Sequence, residues 1–205
     1  FRDQDLSPEA HLDFAKKWGP INVNRFFTPV EGYPSIAEVR KEPHQQYNIG
    51  GNWHTDHSYD QIPALGSMLY AKELPKVGGD TLFAGCAAAF DTLSEGMKST
   101  LRSLRAVHSS RHVFGKSAAI PDDMADLFGN ADKALQDAEH PVVIKHPLSG
   151  RETLYVNPGF TTRFVGWTEK ESNSLLSFLY EHISRPEHTY RFQWSKGALA
   201  FWDNR

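Results

Sequence analysis

The sequence predicts a mainly β domain, a barrel or jelly roll with α-helices packed outside it. Three observations predict it. Short apolar runs bounded by Gly, Pro, Asn and Ser recur along the chain, as strands and turns require. Only a few segments carry helical spacing. The 205 residues are 40% hydrophobic and 23% charged, an ordinary globular composition able to bury one core.

Composition also excludes function classes. The net charge of -3 gives no electrostatic footprint for nucleic acid or an anionic membrane. No apolar run approaches the roughly 18 residues of a membrane span. One cysteine, Cys86, rules out an internal disulfide framework and a cysteine-built zinc cluster, and a reducing, cytoplasmic compartment is expected.

In order, Phe1–Asp5 reads as the tail of a strand. Ser7-Pro8-Glu9 starts a helix, with Ser as N-cap, Pro in the first turn and an acid beside it. Leu12, Ala15 and Trp18 mark its buried face, and Gly19-Pro20 stops it. Residues 20–53 are irregular, a loop long enough to be functional. Strands are expected over Met68–Leu74 and from Thr81 to Ala84, joined at Val77-Gly78-Gly79-Asp80, and again over Ala106–Ser109. Helices are expected over Ala87–Leu93 and Ser94–Leu104. Pro141–His146 and Thr153–Asn157 form a hairpin across Pro147-Leu148-Ser149-Gly150. Thr168–Ser184 is the clearest helix, with a Thr168/Glu171 capping box and a stripe of Leu175, Leu176, Leu179 and Ile183. Tyr190–Trp194 and Ala198–Trp202 are strands turning at Ser195-Lys196-Gly197. Residues 1–205 read as one domain, incomplete at both ends, with 112–139 as a lid or insertion. Trp18, Trp167, Trp194 and Trp202 read as packing residues, and Cys86 as a small buried hydrophobe.

Chemistry concentrates in Asn52-Trp53-His54-Thr55-Asp56-His57. On extended backbone, residues i and i+2 share a face, so His54 and Asp56 can offer an imidazole nitrogen and a carboxylate oxygen to one ion. One further His would complete a 2-His-1-carboxylate set suited to Fe(II) with open positions. A bare His-x-Asp equally fits a surface turn with a His–Asp hydrogen bond. His57 falls on the opposite face and reads as a supporting or solvated residue.

Ordered motifs surround that pair. They are Phe1-Arg2-Asp3-Gln4, Trp53-His54-Thr55-Asp56, Ala71-Lys72-Glu73-Leu74-Pro75 with Gly78-Gly79-Asp80-Thr81-Leu82, and His146-Pro147 with Ser149-Gly150. Val156-Asn157 with Gly159-Phe160-Thr161-Thr162-Arg163, Glu169-Lys170-Glu171-Ser172 and Trp202-Asp203-Asn204-Arg205 follow. In this order they resemble the TauD/TfdA (taurine dioxygenase-like) family of Fe(II)- and 2-oxoglutarate-dependent dioxygenases. The resemblance implies a double-stranded β-helix, a cupin-like jelly roll with iron at one mouth. It implies His54 and Asp56 as iron ligands and Thr81 as a hydrogen-bond partner of a 2-oxoglutarate carboxylate. It places the third His ligand, and an Arg for the far carboxylate of 2-oxoglutarate, beyond Arg205. None of His108, His112, His140, His146, His182 and His188 has a motif in its favour as a substitute.

The activity implied is hydroxylation of a small organic acid with O₂, coupled to decarboxylation of 2-oxoglutarate to succinate and CO₂. Sulfonates, alkyl sulfates and aryloxyalkanoates are the substrate classes. Asn24 and Phe27 fall where the taurine enzyme carries its sulfonate-contacting His and Tyr, and Phe160 matches an aromatic near the substrate. The change at the first two argues against taurine itself; Asn24 and Phe27 also fit a solvated loop, and Phe160 also fits core packing. No nucleic-acid or membrane partner is expected, and a homo-oligomer stays open. A metal-dependent hydrolase on a jelly roll, and a non-catalytic jelly-roll binding protein, are the competing readings.

Overall fold

The computed structural model describes residues 1–116, 118, 120–121 and 128–205. Helix α1, Pro8–Lys16, begins where the sequence signals it: Ser7 accepts a hydrogen bond from the Ala10 amide. A short hairpin, β1 (Pro29–Val30) and β2 (Tyr33–Ala37), gives the long first loop its only ladder among the described residues. Strands β3 (Gly66–Tyr70) and β4 (Thr81–Ala84) follow, then helices α2 (Cys86–Asp91) and α3 (Glu95–Arg102). Strand β5 (Arg105–Ser109) leads into the one-turn α4 (Arg111–Phe114). After β6 (Asp137–Pro141) come β7 (Val143–Lys145), β8 (Glu152–Leu154) and β9 (Thr161–Phe164). Helix α5 (Glu169–Ile183) precedes β10 (Thr189–Phe192) and β11 (Leu199–Asp203).

The pairings are nested. β3 pairs with β11, β4 with β10, β5 with β9 and β7 with β8, all antiparallel. β6 adds to the free edge of β5. One long antiparallel ribbon is thereby folded back on itself and wound up, which is the construction of a jelly roll. Phe1–Gln4 lies along the other edge of β11: the Phe1 amine donates to Leu199 O, Leu199 N to Phe1 O, and Gln4 N to Gly197 O.

Two apolar clusters hold this ribbon. In the larger one, α5 sets Leu176, Leu179 and Ile183 against Phe90 and Leu93 around α2, Leu101 of α3, and Ala106, Leu154 and Phe164 of the strands. The Thr168/Glu171 capping box is present, and Ser172 ties the helix to β9 by accepting from the Phe164 amide. The smaller cluster joins Phe26, Tyr59, Ala134 and Phe160, with Phe114 stacked 4.4 Å from Phe26.

Several expectations are corrected. Tyr190–Trp194 and Ala198–Trp202 do not pair with each other; each finds an earlier strand, because the nested register wins over the local turn. The strand expected at Met68–Leu74 starts earlier and ends at Tyr70. Trp18 and Trp167 remain 50% and 38% exposed; Trp18 leans on Phe201 at 4.8 Å rather than entering a core. Of the expected 112–139 insertion, residues 137–139 belong to β6, and part of the segment lies outside the described residues. Cys86 is half-buried against the larger apolar cluster, and burial of its thiol pushes the pKa up to about 11.

Leu179 is fully buried in the larger cluster. Leu179→Ala is expected to cost about 2–5 kcal/mol, from lost transfer energy plus the cavity left behind, read as a lower urea midpoint.

Candidate metal centre

The His54-x-Asp56 segment is not on a ladder strand. Residues 53–55 are irregular and Asp56 opens a turn that ends at Tyr59. The pair converges nonetheless: His54 Nε2 lies 3.3 Å from Asp56 Oδ1. Each side chain has its other polar atom committed. His54 Nδ1–H donates to Asn52 O at 2.8 Å, so the neutral ring carries its lone pair on Nε2, and the protonated ring donates from Nε2 to Asp56. Asp56 Oδ2 accepts from the Ser67 hydroxyl at 2.6 Å, which leaves Oδ1 facing His54 Nε2.

Burial works against both charges and their mutual attraction outweighs it. Burial lowers the His54 pKa, but the hydrogen bond and charge of Asp56 leave it above the ordinary imidazole value. Burial likewise raises Asp56, and His54, then Ser67, bring it below the usual carboxylate range. The two side chains keep 33% and 30% of their surface exposed, so solvent moderates this attraction.

The donor set fits a hard or borderline divalent ion. Metal–ligand bonds of about 2.1 Å put neighbouring donors about 3 Å apart in an octahedral site, close to the separation observed. An imidazole nitrogen with a carboxylate oxygen suits Fe(II) better than the thiolate-seeking metals. Among the described residues no group of three His, Cys, Asp or Glu gathers around one point, so His54 and Asp56 are two donors of a set not completed there.

The other candidates are committed elsewhere. His57 is buried with a left-handed backbone (φ 58°), and its Nδ1–H donates to Asp60 Oδ2 at 3.0 Å. Asp60 also holds Arg25 at 2.6 Å, strapping the turn to the first loop. His146 meets Asp203 at 3.0 Å, and His182 bonds Ala89 O and Thr92. His112 Nε2–H donates to Gly159 O.

Gly159 shapes the wall behind the pair. A Cβ there would lie 2.7 Å from His54 Cβ, so only glycine lets the Asn157–Thr161 turn close on the imidazole. That turn is pinned internally: Phe160 N donates to Asn157 Oδ1, and Asn157 N to Thr161 Oγ1. It sets the Phe160 ring edge-on to His54 at 6.2 Å. Behind it Asn157 Nδ2 donates to Ser58, whose Oγ is 3.1 Å from Nδ1 of the fully buried His108.

The structure therefore brings together His54, Asp56 and Phe160. Asn24 and Phe27 lie further out. The Asn24 side-chain oxygen accepts from the Phe26 and Phe27 amides, and Phe27 packs on Phe114 and Phe128. Both line a separate surface concavity of about 290 Å³ shared with Arg25 and Lys133. Thr81 opens β4, and its Oγ1 accepts from the Trp194 indole N–H at 2.9 Å. Among the described residues no hydrogen bond joins Thr81 to the pair. Ser67, Gly159, Asn157 and Asn204 are not among the site residues the sequence points to. Asn204 at least lies in the Trp202–Arg205 motif, whereas Ser67 carries no sequence signal.

A jelly roll that presents one imidazole nitrogen and one carboxylate oxygen side by side is the class defined by fold and site. Residues 1–205 match the family described as Taurine catabolism dioxygenase TauD, TfdA family, and the chain belongs to it. It is 36% identical over 205 residues to an alkylsulfatase of Acinetobacter baylyi, covering 98% of this chain and 63% of that protein. It is 32% identical over 210 residues to an alpha-ketoglutarate-dependent sulfate ester dioxygenase of Pseudomonas putida, covering 100% and 68%. The crystal structure of a putative alpha-ketoglutarate-dependent taurine dioxygenase from Burkholderia xenovorans superposes with a TM-score of 0.78 at 33% identity, covering 100% of this chain and 67% of that one. The chain thus spans about two-thirds of the length of these relatives.

Burial lowers the His108 pKa to about 3, with His140 adding to the shift, so the imidazole is neutral in the folded state. The unfolded chain, with an ordinary value near 6.5, takes up that proton first. Stability is complete above the unfolded value and falls as pH drops from there toward 3. The expected loss from this group is on the order of 5 kcal/mol across that window, roughly 3 kcal/mol of it between pH 7 and 4. Urea midpoints for wild type and His108→Gln between pH 7 and 4 check it: the variant should show the shallower slope.

Proposed function

We propose that the chain carries the active site of an Fe(II)- and 2-oxoglutarate-dependent dioxygenase that hydroxylates a small organic acid. The carrying observation is the His54 Nε2–Asp56 Oδ1 pair, 3.3 Å apart, with both remaining polar atoms hydrogen-bonded away. The likeness to the alkylsulfatase and the sulfate ester dioxygenase favours alkyl sulfates as the first class to test, with sulfonates and aryloxyalkanoates beside them.

In this reading His54 and Asp56 hold the iron, with a third His supplied from outside the described residues. Bound Fe(II) would supply O₂ activation coupled to decarboxylation of 2-oxoglutarate to succinate and CO₂. The protein's own part is orientation and exclusion of water. Asn52 keeps the His54 proton on Nδ1, away from the ligating nitrogen. Phe160, backed by Tyr59 at 4.8 Å, walls the site with apolar surface. Thr81 binds a carboxylate of 2-oxoglutarate, and its hydroxyl proton is free for that because Trp194 donates to its oxygen. Asn24 and Phe27 are assigned to the outer substrate pocket, where Arg25 and Lys133 offer positive charge to an acid. Residues 1–205 act as one domain. Within 112–139, the His112 hydrogen bond to Gly159 O supports a covering role beside the pair.

A succinate assay on the full-length protein, over a panel of alkyl sulfates, sulfonates and aryloxyacids, tests this. Turnover should require Fe(II), 2-oxoglutarate and O₂ together; product released without succinate would indicate a metal-assisted hydrolase instead. His54→Ala and Asp56→Ala should each abolish succinate formation and metal binding while leaving the circular dichroism spectrum unchanged. Thr81→Ala should raise the KM for 2-oxoglutarate more than it lowers kcat.

A further inference from the structure

Asp56 is held by a chain of donors that reaches the far end of the sequence. The Ser67 hydroxyl donates to Asp56 Oδ2 at 2.6 Å. Asn204 Nδ2 donates to Ser67 Oγ at 3.1 Å. Asn204 is only 5% exposed, and its backbone N–H donates to Leu65 O at 3.0 Å. The register of β3 and β11 makes this meeting possible, with Ser67 facing Trp202 and Gly66 facing Asp203. A Cβ on Gly66 would collide with the Trp202 carbonyl, so only glycine permits the approach.

The direction of the chain follows from proton counting. A serine hydroxyl has one proton and two lone pairs, and an amide NH₂ can only donate. With Asn204 donating into the Ser67 oxygen, the Ser67 proton is directed to Asp56. A hydrogen bond to a carboxylate is short and strong, as the 2.6 Å distance shows.

We propose that Ser67 and Asn204 are positioning residues that fix the coordination mode of Asp56. Resting on the reading of His54 and Asp56 as metal ligands, the inference is that Oδ2 is withheld from the ion and Oδ1 alone is presented beside His54 Nε2. A carboxylate free to rotate could chelate through both oxygens and occupy a position that a cosubstrate needs. Among the described residues Asn204 makes no hydrogen bond to either ligand and acts through Ser67. Its place in the Trp202–Arg205 motif thereby acquires a physical reason.

The test is Co(II) titration of the metal-free, full-length protein, reading the dissociation constant and the visible d–d spectrum. Ser67→Ala should weaken Co(II) roughly 10–100-fold, as loss of a partner behind a ligand typically does, and should change the band intensities as the carboxylate mode changes. Ser67→Thr, which keeps the hydroxyl on a strand that favours branched residues, should restore both readouts. Asn204→Leu should weaken Co(II) by less, and adding it to Ser67→Ala should cause no further loss. Wild-type affinity and spectrum in Ser67→Ala, with binding lost in His54→Ala, would overturn the relay and leave the metal site standing. Equal Co(II) binding by wild type and His54→Ala would overturn the metal site and the relay with it. A strictly additive loss in the double variant would refute the claim that Asn204 acts through Ser67. If Ser67→Ala melts earlier than wild type without metal, the decision passes to Asn204→Leu: an unchanged Co(II) spectrum there refutes the relay.

Discussion

Everything around the His54–Asp56 pair depends on β3 lying against β11, a pairing that lets Ser67 meet Asn204, just past β11, across 137 positions of sequence. Closing so long a loop carries an entropic cost that grows only slowly with length. The cost is spread over the nested set, since β4–β10 and β5–β9 form inside the same ribbon and bury one apolar cluster beneath α2, α3 and α5. Gly66 is the narrow point of this arrangement. With any side chain there the strands separate, and with them the contact between Asn204 and the residue that holds Asp56.

Rigidity near the pair comes from polar groups rather than from ladder bonds. The His54–Asp56 segment is irregular, so its shape is set by what holds its ends. Asp60 is tied to Arg25 and His57, Asp56 to Ser67, and Gly159 packs close against His54. Buried groups hydrogen-bonded in series, as from Phe160 through Asn157 and Ser58 to His108, resist displacement because each broken bond would leave a desolvated partner. An irregular segment held this way can present a nitrogen and an oxygen on one side without strand periodicity.

That difference explains what the sequence could and could not reveal. Helix α5 was legible because its cap and its stripe are local and self-consistent, and β4 matched its expected bounds because a Gly-Gly turn precedes it. His54 and Asp56 were legible as a pair, though by a route the structure changes: they converge across a turn, not along a strand. Strand partners were not legible, because Ser195-Lys196-Gly197 looks like a hairpin turn and only the global register shows that it is not one. Ser67 was invisible for a related reason. A serine on a strand is ordinary in sequence, and its importance arises from a carboxylate eleven residues away and an amide far downstream.

Thr81 and Ser67 show one device used twice. In each, a hydroxyl accepts from a fixed N–H, Trp194 Nε1 or Asn204 Nδ2, and is left with a single proton to give. A hydroxyl alone can rotate among acceptors; one whose oxygen is occupied by a rigid donor has its proton aimed. Ser67 spends that proton on Asp56. Thr81 donates to no acceptor among the described residues, and under the proposed function its proton goes to a 2-oxoglutarate carboxylate. Both donors, Trp194 and Asn204, lie in the last two strand regions of the chain, and both recipients lie on the strands that those regions pair with, β4 and β3. Nesting the ribbon therefore does more than build a core. It delivers orienting N–H groups from late strands to hydroxyls on early ones, and so couples completion of the fold to the hydrogen bonding of Ser67 and Thr81.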